Sequence, residues 1–331
     1  MKRHARIMGI ITAALGIVLL VFDPKTAVNG AKQGLNECID VLIPSLFPFF
    51  VITSYLNSTL LGTHVPGLKK LSRYLRIPHG SESLLLLGLI GGYPVGAQLI
   101  AEAYNQKQID KKTAHIMLGY CNNAGPAFIF SLGTCLFSSF ETIFLLWFII
   151  IVSAILSGVL LPKPQQTIIH LQRDVNSATL SKALRKSIIN IAQICGWVIL
   201  FKVMLTYFNK WFTPFSDMQI LILVSGFCEL SNGCFELLNV DSEVQRFLLC
   251  AVFFASGGLC ICMQTSSVTQ KLGLGYYIPG KLMQSSIALL LATLVNVGHF
   301  RFWAIPLIFL PLIAVLGIYK ICCRNQTQNN V

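Results

Sequence analysis

The stretch SLLLLGLIGGYPVGAQLIAEAY, residues 83–104, is an apolar run broken at its centre by Gly91-Gly92-Tyr93-Pro94-Val95-Gly96. Glycine weakens a helix, and proline removes a backbone donor and clashes with the preceding turn, so the run reads as two half-helices. Each half, at about eight residues, is about 12 Å long and too short to cross a hydrocarbon core of about 30 Å. A second run, MQILILVSGFCELSNGCFELLN at 218–239, carries Gly226 and then Glu229, Ser231, Asn232 and Gly233 at its centre. Both predict a helical hairpin that enters and leaves the membrane on one side, its irregular backbone shielded by protein or water.

The rest of the chain supports a membrane setting. Of 331 residues, 54% are hydrophobic and 11% are charged, whereas soluble domains carry about 25% charged residues. Too few charges remain to cover a soluble surface, which implies lipid. The net charge of +12 comes from short basic clusters between apolar runs. That pattern sets topology and excludes a nucleic-acid-binding patch. Most of the 11 cysteines lie inside apolar runs and read as small hydrophobes. Cys260 and Cys262 lack a second ligand pair for zinc. Metalloprotease, serine-hydrolase and phosphate-loop motifs are missing, and no extramembrane stretch exceeds about 25 residues, so an enzyme is not expected. No cofactor is expected either, and a coupling ion, proton or sodium, stays open.

Apolar segments fall at about 7–22, 34–61, 83–104, 113–137, 142–161, 187–208, 218–239, 245–270, 282–297 and 302–319. The first follows Lys2, Arg3 and Arg6 and meets Asp23-Pro24 in place of a small-residue cleavage site. It reads as a transmembrane helix rather than a signal peptide. If 83–104 and 218–239 are hairpins and the N-terminus is cytoplasmic, 19 basic residues, Lys281 among them, fall on the cytoplasmic side and 5 outside. If both cross fully, the split is 12 to 12. The positive-inside rule therefore selects an all-α polytopic protein of about eight transmembrane helices plus two re-entrant hairpins, with both termini cytoplasmic.

Gly96 and Gly233 lie 137 residues apart, at matching places in two halves. Each hairpin is followed by an interrupted span, at Cys121-Asn122-Asn123-Ala124-Gly125-Pro126 and at Ala255-Ser256-Gly257-Gly258-Leu259. The division is an N-terminal transmembrane helix at 1–30, a first repeat at 31–161 (span, hairpin, broken span, span), a cytoplasmic linker at 162–181, a second repeat at 182–320 and a cytoplasmic tail at 321–331. Three crossings per unit make the second repeat inverted, a layout that marks secondary transporters.

The candidate site follows from the polar residues in these breaks. Glu229 is an acid in the middle of an apolar run, a functional residue by default. The competing reading is a hydrogen-bonded carboxyl that only closes the hairpin. Asn122 and Asn123 would leave several donors and acceptors unpaired in lipid. They contact a solute or cap the neighbouring hairpin. Pro126 suits the first turn of a half-helix whose free N–H groups attract anions. Tyr93, Pro94 and Gly96, then Gly125, then Ser231, Asn232 and Gly233, then Ser256, Gly257, Gly258 and Gln264 complete four polar breaks expected to meet around a solute. Lipid and a small molecule are the expected partners, nucleic acid is not, and self-association stays open.

Gly92-Tyr93-Pro94-Val95-Gly96-Ala97 and Cys121-Asn122-Asn123-Ala124-Gly125-Pro126-Ala127-Phe128 resemble the nucleoside-recognition (Gate) domain membrane proteins. Within them the likeness is to the sporulation integral membrane protein family of the YlbJ type. Gly34 to Phe50, then Glu229, Asn232, Gly233, Gly257-Gly258-Leu259 and Gln264, extend it over about 30–300. The chain departs in its short loops and in Ser231, where a threonine is expected. The resemblance implies a bacterial multi-pass protein related to concentrative nucleoside transporters. It implies a role in moving dipicolinate during spore formation, in a membrane of the sporulating cell.

Overall fold

A computed structural model describes residues 2–60, 67–77, 81–163, 179–213 and 217–297. The expected span at 302–319 and the tail at 321–331 lie outside the described residues, as does most of the linker. Every regular element among the described residues is helical.

Helix α1 (Lys2–Phe22) is followed by α2 (Pro24–Glu37), one π-helical turn (Cys38–Leu42) and α3 (Ile43–Leu60). The expected span at 34–61 thus starts ten residues early. The start signals at that point are Asp23, whose carboxylate accepts from Thr26 N and Thr26 Oγ1, and Pro24 at the first helical position. Both are standard helix openers. After α4 (Lys69–Leu75) come α5 (Glu82–Ile90) and α6 (Val95–Asn105), parted at Gly91–Pro94. Next are α7 (Lys111–Leu118) and α8 (Pro126–Leu136), parted at 119–125, and the unbroken α9 (Phe140–Leu160). The second half holds α10 (Leu180–Phe212), then α11 (Met218–Cys228) and α12 (Leu230–Glu236), parted at Glu229. It continues with α13 (Glu243–Ser256) and α14 (Gly258–Thr269), parted at Gly257, and ends with α15 (Tyr277–Val297).

Five helical runs among the described residues are long and apolar enough to cross a membrane: Pro24–Leu56, Phe140–Leu160, Leu180–Phe212, Glu243–Leu272 and Tyr277–Asn296. Their outer faces expose large apolar side chains, such as Ile188, Leu200 and Met204 on α10 and Leu282, Leu290 and Leu294 on α15. Contiguous apolar surface on this scale suits lipid. The chain is a multi-pass helical membrane protein. At 33 residues, α10 is about 50 Å long, longer than the hydrocarbon core, so it tilts or projects beyond it.

Packing is paired between the halves. The long helices α3 and α10 lie against the second broken helices, α3 on α8 and α10 on α14. The short helices cross over, α6 packing on α14 and α12 on α8. Glycine allows the close approach of α6 to the α7–α8 break and of α12 to α11. A Cβ at Gly96 would lie 1.9 Å from the Cys121 carbonyl oxygen, and one at Gly233 would lie 2.1 Å from Gly226 Cα. No side chain fits either gap.

Candidate functional site

Three of the four helix breaks, and the middle of α14, meet at one buried place, whereas Ser256, Gly257 and Gly258 of the fourth break do not line it. Gly92 and Tyr93 from the α5–α6 break, Gly125 from the α7–α8 break, Glu229 and Ser231 from the α11–α12 break, and Gln264 of α14 line one cavity. Leu46 and Phe50 of α3, Ile194 and Val198 of α10, Phe128 and Ile261 help to complete its walls. The volume is about 20 Å³, room for about one water molecule. A solute larger than water does not fit this space. Tyr93 also ties the first half to the second: its hydroxyl donates to the Phe254 carbonyl at 3.2 Å, and a Cβ on Gly257 would lie 3.1 Å from its ring.

Glu229 is buried and caps α12. Its carboxylate accepts from Ser231 N at 3.2 Å, Ser231 Oγ at 2.7 Å and Asn232 N at 2.7 Å. Closing the hairpin is thus one of its roles, and facing the cavity is another. Helix α6 receives a comparable cap from outside, since Ala97 N donates to Asn122 Oδ1 at 3.3 Å. Helices α8 and α14 start at Gly125 and Gly257 with no side-chain cap. Those two N-termini keep their partial positive charge. Gln264 is 2% exposed and its Oε1 has no hydrogen-bond partner.

Other expected site residues serve the protein itself in this conformation. Asn122 Nδ2 donates to Thr265 Oγ1 at 3.0 Å. Asn123 Nδ2 donates to the carbonyls of Gly88 and Tyr120. Both amides therefore join the breaks to their neighbours. Ser256 Oγ donates to the Phe253 carbonyl. Gly96 and Gly233 are points of close approach, and Pro94 and Pro126 stand at the starts of α6 and α8. Gly258, at φ +71°, would put a Cβ 2.9 Å from the Phe227 carbonyl oxygen. Asn232 turns away from the cavity: Lys202 donates to its Oδ1, and its Nδ2 donates to Glu236 Oε1 at 3.0 Å.

Three groups of polar residues escaped the sequence reading. Lys202 of α10 reaches Glu37 at 2.5 Å and forms a partly buried ion pair. It is an internal partner of α2 and α12. Gln98 and Asn190 join α6 to α10 by reciprocal amide bonds of 2.8 and 3.1 Å. Lys281, counted with the cytoplasmic loop cations, is in fact 4% exposed on α15. It donates to Asn123 Oδ1 at 3.0 Å and Gln284 Oε1 at 2.7 Å. The signal that could have found it is spacing: Tyr277, Lys281 and Gln284 share one helical face.

A stretch of 113 residues, 34% of the chain, is 28% identical to the sporulation integral membrane protein YlbJ of Bacillus subtilis (strain 168). The stretch spans 28% of that protein's length. No family model matches the chain, and no solved structure matches it. The similarity is to a sporulation integral membrane protein and covers about a third of the chain.

Proposed function

We propose that this protein is a transporter that moves a small polar or anionic solute across a bacterial membrane, and that the solute is dipicolinate during spore formation. The observation that carries this reading is the convergence of three backbone breaks, at Gly92–Tyr93, Gly125 and Glu229, with Gln264 of α14 on one cavity that holds polar groups among apolar walls. Glu229, Gln264 and Tyr93 sit there inside a chain whose outer faces are apolar. A membrane scaffold would have no use for Gln264, whose buried Oε1 lacks a hydrogen-bond partner and where leucine is cheaper in lipid. In this reading the chain makes eight crossings, α5–α6 and α11–α12 re-enter, and the repeats are inverted with both termini in the cytoplasm. The crossed packing of α6 on α14 and α12 on α8 supports it. The sporulation relative supports the setting.

Two features of the cavity pull in opposite directions. The uncapped N-terminus of α8, whose Gly125 lines the cavity, offers about half a positive charge to a carboxylate. Glu229 offers acceptors, which suit the hydroxyls of a nucleoside, although three donors from α12 already compensate its charge. A nucleoside transporter is therefore the second reading. Competition in proteoliposomes decides between them. Labelled dipicolinate should enter, and excess uridine should not slow it. Uridine flux that dipicolinate does not inhibit promotes the nucleoside reading. Flux of neither solute leaves the scaffold.

A further inference from the structure

Lys281 has a setting unlike that of the other internal lysine. Lys202 faces a carboxylate, whereas among the described residues no carboxylate pairs with Lys281. Its nitrogen lies between two amide oxygens, those of Asn123 and Gln284. Two aromatic faces complete the shell, with ring centres 5.1 Å away for Tyr93 and 5.9 Å away for Tyr277. The amide partners are themselves held: Asn123 by the Gly88 and Tyr120 carbonyls, and Gln284 through its Nε2 by the Ile150 carbonyl of α9. The titratable groups facing the nitrogen are Tyr93 from the α5–α6 break, Cys121 from the α7–α8 break and Tyr277 on its own helix.

This shell accommodates both forms of the side chain. A neutral amine has two N–H groups, and two amide oxygens satisfy them. An ammonium has a third N–H and a charge, and the ring faces answer both. A lysine kept only as a fixed cation in such a place would be expected to have a carboxylate beside it. The Tyr93 ring is also a wall of the solute cavity. Widening the cavity on that side displaces one of the groups that favour the charged form.

We propose that Lys281 is a reversible proton-binding site whose occupancy is linked to the position of Tyr93, and so to the opening of the cavity. The linkage to solute movement rests on the transport reading above; proton binding does not. The ligand is a single proton, taken from water by the amine lone pair and returned to water, with no other bond changed.

The test uses the full chain in lipid nanodiscs with ¹⁵N at the lysine side chains. The Lys281 signal is identified by its loss in Lys281→Arg. Its passage from the ammonium to the amine position should fall inside the pH range over which the chain stays folded. Tyr93→Leu should move that transition to lower pH by about half a unit, the worth of one ring contact. Tyr93→Phe, which keeps the ring, should leave it in place and guards against a leucine variant that folds poorly. A Lys281 nitrogen that keeps one form throughout overturns the proposal. So does a transition that Tyr93→Leu leaves unmoved in a folded protein. Flux of neither dipicolinate nor uridine in liposomes removes the transport reading alone, because the nitrogen titration needs no solute.

Discussion

Glu229 shows how one residue serves two demands. Its carboxylate caps the start of α12 by accepting from two backbone N–H groups, and it faces the cavity. Leucine is the cheaper side chain in lipid, yet here it would strand two buried donors at about 1–3 kcal/mol each. Glu229→Leu should therefore lower the thermal midpoint of the purified protein and its abundance in the membrane. Glu229→Gln keeps a carbonyl acceptor, so its cost should be that of a weakened cap, about 1 kcal/mol. For a nucleoside, whose hydroxyls donate to the carboxylate, flux per folded molecule should fall about tenfold in Glu229→Gln, the worth of one charge-assisted hydrogen bond. Dipicolinate offers this carboxylate no donor, so its flux should hold. Flux assays normalised to folded protein check both halves of this expectation. Full nucleoside flux in Glu229→Gln would reduce the residue to a cap.

At the scale of elements, glycine sets where helices cross. Gly96 touches backbone at Cys121, whereas Gly196 on α10 has nothing within 4 Å of its missing Cβ. Gly96→Ala should abolish folding or lower the thermal midpoint sharply, because the Cys121 carbonyl it would overlap is backbone and is packed against Gly88 as well. Gly196→Ala should be neutral or raise stability by up to about 1 kcal/mol through helix propensity. Thermal melts of the two variants in one detergent test the contrast. The breaks themselves were legible in the amino-acid order, since glycine, proline and clustered amides inside apolar runs announce lost helix. The fate of the polar side chains was less legible. Lys281 sits at the edge of an apolar run and reads as a loop cation, while its partner Asn123 is 158 residues away. Lys202 and Glu37 are parted by 165 residues. Pairing at such distances depends on which faces the folded helices share, and no local pattern encodes that.

For the whole molecule, orientation rests on charge. Moving Lys281 inside leaves 18 basic residues for the cytoplasmic side against 5 outside, and the bias survives. The 105–112 segment should then face the cytoplasm, and the 239–246 segment the outside. Single cysteines at Lys111 and Asp241, in a chain stripped of its own thiols, should react with an impermeant maleimide only from opposite faces of the membrane. External labelling at Lys111 would sink the hairpin topology. The π turn at Cys38–Leu42 carries a different kind of implication. Such a turn holds one residue more than the α-helix around it, so in evolutionary terms it is an insertion. Removing that residue would regularise the helix but swing α2 by about 100° relative to α3. Glu37 would leave Lys202, and Gly30 and Gly34 would no longer seat against Val203 and Ile199 of α10. Related chains should therefore keep or lose the extra residue together with that lysine and those glycines, and a one-residue gap there should never appear alone.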